Sequence, residues 1–169
     1  MNEVSKSRRE ALKIIAVTST GVALGTQIPV FAQTAEVKPV KITTLEKLAK
    51  DWDVATFDFQ GAPSQLARVP MPKNKEGKMD DAILKSGRVL EVTVGKDKIY
   101  LTAYGLSCTH AGCKIGAPDK DHVMNCPCHG SAFSAADGSP THGPAKKPLA
   151  GIKLEVKDGA VMAVGVLTA

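Results

Sequence analysis

Two short stretches constrain this chain more than anything else in it: CTHAGC at residues 108–113 and CPCHGS at residues 126–131. They hold all four cysteines and two of the four histidines of a 169-residue protein. Each carries one Cys–His pair, Cys108 with His110 as C-x-H and Cys126 with His129 as C-x-x-H, and fifteen residues lie between His110 and Cys126. Four soft or borderline ligands on two short segments read as a metal site. Cys113 and Cys128, one beside each pair, form a matched remainder that reads as a disulfide tying the segments together.

Three chemistries compete for the pattern. A structural zinc site accepts the same ligand types, but its usual spacings pair like with like. Two ordinary disulfides with incidental histidines leave the repeated Cys–His pairing unexplained. One mixed pair per segment suits a two-iron cluster in which one iron takes both thiolates and the other both imidazoles.

On these motifs the chain resembles the Rieske iron–sulfur protein family, well from about Ile99 to Leu149 and loosely on either side. The resemblance implies an all-β fold, a Rieske-type antiparallel β-sandwich with an inserted cluster-binding subdomain. It implies one 2Fe-2S cluster of Rieske type, with Cys108 and Cys126 on one iron and His110 and His129 on the other. It also implies a Cys113–Cys128 disulfide, the mark of the high-potential branch, whereas Rieske oxygenases and their small ferredoxins usually lack that second pair. Ser131 stands where high-potential members donate a hydrogen bond to a cluster sulfur. Phe133 stands where they usually have a tyrosine donor, so a somewhat lower potential is expected. GPAKKPL at 143–149 resembles the proline loop that covers the cluster from a third side.

The function this implies is one-electron transfer by a subunit of an exported respiratory oxidoreductase, not by a stand-alone enzyme. The leading context is a quinol-oxidising cytochrome bc-type complex, with a membrane cytochrome b and a c-type cytochrome as partners and quinol at the histidines. The alternatives are the small subunit of a periplasmic molybdopterin oxidase of the arsenite oxidase type, working with a molybdopterin large subunit, and a soluble Rieske carrier. A zinc-stapled binding module would do no redox chemistry.

A disulfide calls for an oxidising compartment. SRREALK at 7–13, followed by the weakly apolar run 14–32, resembles a twin-arginine export signal, with Ala11 where an aromatic or Leu is commoner. Removal after Ala32 and retention as an anchor both stay open. VFA at 30–32 offers small residues at the −3 and −1 positions, while nineteen residues nearly span a bilayer, which wants about 20. Either way the protein is placed in the periplasm or at the outer face of the cytoplasmic membrane. Loss of residues 1–32 would remove Lys6, Arg8, Arg9 and Lys13 against Glu3 and Glu10, lowering the net charge of +5 by two. So mild a balance, without basic–aromatic interleaving, gives no support for nucleic-acid binding.

The organisation expected is a signal or anchor at 1–32, a linker and short helix at 33–52, and a Rieske domain at 53–169 whose cluster-binding segment is 105–149. The linker is polar through residue 42, and TTLEKLAK at 43–50 suggests a short helix with Thr43 and Glu46 as a capping box. VATFDF at 54–59 alternates as a strand, and residues 70–79 form a breaker-rich loop. RVLEVTV and KIYLTAY make a hairpin around Gly95-Lys96-Asp97. IKLEVK and AVMAVGV make another around Asp158-Gly159. His122 and His142 fall outside the ligand spacings and read as solvated loop residues, while Trp52 and Phe57 read as core.

Overall fold

The structure, a computed structural model, describes residues 37–167. The export segment falls outside the described residues. Among those described, no helix is long and apolar enough to cross a membrane.

Turn chemistry and alternation set most of the strands. Asp158 and Gly159 both adopt positive φ, the geometry of a tight hairpin turn that matches strand twist. They join β9 (Ile152–Lys157) to β10 (Ala160–Val166), with Lys157 opposite Ala160. Gln60 and Gly61 do the same between β2 (Val54–Phe59) and β3 (Ala62–Val69). β4 (Val89–Val94) pairs with β5 (Asp97–Gly105), and Val94 faces Asp97, so the turn is one residue tighter than the spacing suggests.

Among the described residues, three antiparallel sheets result. β1 (Val40–Thr44), β10 and β9 form one, in the order β1-β10-β9. A second runs β2-β3-β5-β4. A third, of three-residue strands β6 (Val123–Asn125), β7 (Ala132–Ser134) and β8 (Pro140–His142), belongs to the segment carrying the Cys/His motifs. The first two face each other across Phe59, Leu66, Ile99, Leu101, Leu154 and Val161. This is the expected all-β sandwich with an inserted subdomain.

Strand β5 links sandwich and subdomain. Successive side chains on a strand point to opposite faces, and β5 is buried on both. Ile99, Leu101 and Ala103 enter the sandwich core, while Tyr104 enters a second core with Leu106, Cys108, Met124, Cys126 and Phe133. The Tyr104 hydroxyl donates to the carbonyl of Ala135 (2.9 Å) and accepts from Gln65 Nε2 (3.4 Å). Burial, the largest influence on it, drives the phenol far above its ordinary pKa, so it stays a neutral donor.

Two features differ from expectation before β2. The supposed linker ends in β1, and Thr43 lies opposite Val161 in that strand, so it caps no helix. The helical turn is a single 3-10 turn, Leu45–Lys47, whose preceding Thr44 makes no side-chain cap. Pairing with β10 outweighs local helix propensity here. A short helix that the sequence reading passed over, α1 (Asp81–Lys85), is capped by Asp80, whose carboxylate accepts from the N–H groups of Ala82 and Ile83.

Candidate metal centre

The two motif loops share one backbone plan. In the first, Cys108 N–H donates to Cys113 O (2.9 Å) and Gly112 N–H to Cys108 O (2.8 Å). In the second, Cys126 N–H donates to Ser131 O (2.8 Å) and Gly130 N–H to Cys126 O (3.2 Å). Each loop thus closes a tight turn five residues long behind its leading cysteine. The fifth residue, Gly112 or Gly130, has φ of +75° or +69°, a conformation glycine takes at little cost.

This plan sorts the four candidate ligands by type. Cys108 and Cys126 are reduced and buried, each 3% exposed. His110 and His129 are exposed, and their rings meet edge to face with centroids 4.9 Å apart. Two thiols inside and two imidazoles outside form a donor set with a soft inner end and a nitrogen outer end. That fits a two-iron cluster with its histidine iron toward solvent.

Cys113 and Cys128 are joined as a disulfide, Cα–Cα 6.5 Å. Their sulfurs and Cys126 Sγ lie within 4.8 Å of one another. That trio is no ligand set, because two of its members are spent on each other.

Electrostatics favour a thiolate at the inner end. Burial, the largest influence on Cys108, pushes its thiol pKa up. Hydrogen bonds from the His110 backbone, the Cys126 thiol, the Ala111 backbone and the Ser131 hydroxyl together outweigh it and lower the pKa. Ser131 is fully buried. Its oxygen accepts from Ala145 N–H at 3.1 Å, which leaves the hydroxyl proton to point at sulfur.

The third loop, 141–149, is fastened from several sides. Thr109 Oγ1 donates to Lys147 O (2.7 Å), and Leu149 N–H to Gly138 O (2.9 Å). From the residue just before β4, the Arg88 guanidinium donates to Leu149 O (3.1 and 3.2 Å) and to Asp137 O (3.0 Å). Gly143, at φ +84°, lies so close to the second loop that a Cβ there would stand 2.6 Å from both Gly130 O and Ser131 Cα. Gly143-Pro144 is therefore a packed contact rather than an open surface turn.

Gly143→Ala is expected to cost about 3 kcal/mol or more, adding left-handed strain to an overpacked backbone contact. Gly95→Ala, also at positive φ but with nothing within 4 Å, should cost only the strain, about 1–2 kcal/mol. Denaturant midpoints of the two variants check this, and equal losses would refute the close-packing account.

Thr109, Ala145 and Arg88 were not singled out from the sequence. Arg88 is 61 residues from Leu149, and nothing local marks it. His122 is not a solvated loop residue, since its ring lies flat on Trp52, centroids 3.6 Å apart and planes 8° apart. Both residues adopt positive φ. His142 is exposed in β8, while Trp52 and Phe57 are half-buried against the cores.

A β-sandwich bearing two Cys/His loops stapled by a disulfide defines a class of small iron–sulfur electron carriers. The Rieske 2Fe-2S domain profile matches residues 67–156, more than half of the chain, and the protein belongs to that family. Its cofactor is a Rieske 2Fe-2S cluster. The chain is 44% identical over 52 residues to the cytochrome b6-f complex iron-sulfur subunit 2 of Nostoc sp., covering 31% of this chain and 29% of that protein. It is 38% identical over 68 residues to the cytochrome b6-f complex iron-sulfur subunit of Gloeobacter violaceus, covering 39% and 36%. The match therefore spans about a third of these relatives' own length. The soluble domain of the Rieske protein II from Sulfolobus acidocaldarius shares the fold, with TM-score 0.53 and 20% identity over 80% of this chain and 81% of that one.

Proposed function

We propose that Cys108 and Cys126 hold one iron and His110 and His129 the other, and that the protein is the iron–sulfur subunit of a quinol-oxidising cytochrome bc-type complex. The observation that carries this reading is the sorting of ligands, with the thiols sealed inside and the imidazoles at the surface. The resemblance to cytochrome b6-f iron-sulfur subunits supports the context. When bound, the cluster stores one electron. The chain supplies the rest: an exposed pair of ring nitrogens that can take a hydrogen bond and a proton from a quinol hydroxyl, a Ser131 proton aimed at sulfur, and loops that keep water from the thiolate end.

Purification of the tagged chain from its own membranes in mild detergent tests the context. Co-purification of a b-type haem subunit is the expected result. A molybdopterin subunit in its place would move the protein to the arsenite oxidase type, and a chain recovered alone would make it a free carrier. For localisation we propose twin-arginine export to the outer face of the cytoplasmic membrane. Changing Arg8 and Arg9 to Lys should leave iron-loaded protein in the cytoplasm, and unimpaired export would overturn that placement.

The reduction potential gives a further expectation. A donor to sulfur stabilises the added electron, and one charge-assisted hydrogen bond is worth about 1.5 kcal/mol or more. For a one-electron couple a tenfold change in the equilibrium constant corresponds to about 59 mV. Ser131→Ala should therefore lower the potential by some tens of millivolts, and Phe133→Tyr should raise it. Voltammetry checks both.

A further inference from the structure

None of the chain's 17 carboxylates falls in the three loops at the metal centre, residues 107–117, 126–134 and 141–149. Those loops carry Lys114, Lys146 and Lys147. Lys114 turns aside into a cleft that Asp58 also lines. Lys146 and Lys147 sit between Pro144 and Pro148 with exposed side chains, and among the described residues neither makes an ion pair. Their backbone is held on both sides, by Ala145 N–H on Ser131 Oγ of the second loop and by Thr109 Oγ1 on Lys147 O from the first. Thr109 is the residue before His110. The fold thus fixes the backbone of two adjacent exposed lysines against the loops that carry His110 and His129, where unpaired charges add nothing to its stability.

We propose that this face docks a soluble electron-transfer protein whose own redox edge is ringed by carboxylates, with Lys146 and Lys147 selecting it. The proposal rests on the electron-transfer role of the centre and names the partner's chemistry. Complementary charge at a redox contact acts mainly by steering encounter and excluding like-charged partners. A neutral quinol needs no such pair. An anionic bilayer would attract the lysines, but the exposed residues around the imidazoles include Ala111, Pro127, Gly130 and Pro144, and these lack the bulky apolar side chains that insert into a membrane interface.

Two probes of known surface charge test this: a c-type cytochrome with a carboxylate-ringed haem edge and one with a lysine-ringed edge, each mixed in stopped flow with the reduced holoprotein. Electron transfer to the acidic probe should be the faster at low salt and should fall steeply as ionic strength rises. Reversing the pair (Lys146→Glu with Lys147→Glu) should slow the acidic probe by on the order of tenfold at low salt and speed the basic one. The same charge change on β9, Lys153→Glu with Lys157→Glu, should do much less, and the cluster spectrum should be unaltered in both.

Equal effects of the two reversals, or rates indifferent to salt, would overturn the proposal. So would loss of binding to phosphatidylglycerol vesicles in the Lys146/Lys147 variant with cytochrome rates unchanged, which would assign the lysines to a membrane surface. Recovery of a molybdopterin subunit, or of the chain alone, in the co-purification, with the charge-dependent cytochrome rates intact, would remove the quinol-oxidising role and leave this surface standing.

Discussion

Cys108→Ser and His129→Ala should each abolish the Rieske-type electron paramagnetic resonance signal of the reduced protein. Each removes one of the four proposed ligand atoms. Cys113 and Cys128 are the chain's only other cysteines, and they are bonded to each other. His122 is engaged in its stack on Trp52, and no carboxylate lies within the three loops. The two variants should differ in how they fail. Cys108 is buried among hydrogen bonds that favour its thiolate, so a serine there leaves a buried hydroxyl, a poor ligand to iron, and the variant should retain little iron. His129 is exposed, so its loss opens the outer end to solvent without disturbing the inner thiols, and residual iron with an altered spectrum is the expected intermediate. Iron and sulfide analysis with spectroscopy on protein assembled in the cytoplasm decides the matter. An unchanged signal in either variant would refute the ligand assignment, and stoichiometric zinc in the unaltered protein would refute the cluster.

The metal centre was legible because its chemistry is local. One Cys–His pair per loop, a glycine four residues after each leading cysteine and a spare cysteine in each loop are all visible in 24 consecutive residues, 108–131. The β4–β5 and β9–β10 hairpins were legible for the same reason, since their turns and alternation are written in the strands themselves. What stayed hidden depends on partners distant in sequence. β3 has Pro63 as its second residue and carries Ser64 and Gln65, which read as polar. Yet both are buried, and Gln65 reaches Tyr104, 39 residues away. β1 follows Pro39 and is a strand only because β10 is there to pair with it. The strands of the third sheet, three residues each, are too short to show a period. The fastening of the third loop by Arg88 and Thr109 spans 61 and 38 residues, beyond any local pattern.

Breaking the staple should be the second large effect, and its ordering is informative. The Cys113–Cys128 bond closes a loop of sequence separation 15, worth about 3 kcal/mol in the chain-entropy model. Cys113→Ala and Cys128→Ala should each lose about that much, and the double variant little more, because both remove one bond. Iron retention in air should rank differently. Either single change leaves a free thiol close to Cys126, whose sulfur lies within 4.8 Å of both staple sulfurs. Oxygen can then take two electrons and two protons from that thiol and Cys126 as they join, withdrawing Cys126 from iron. The double variant has no spare thiol and cannot follow this route. Each single variant should therefore lose iron faster than the double variant in air, and at the same rate under argon. Mass spectrometry of the unreduced single variants should find Cys126 linked to the orphaned cysteine. Additive stability losses would mean that the two thiols are not paired, and equal iron loss in all three variants would mean that Cys126 is shielded from its neighbours.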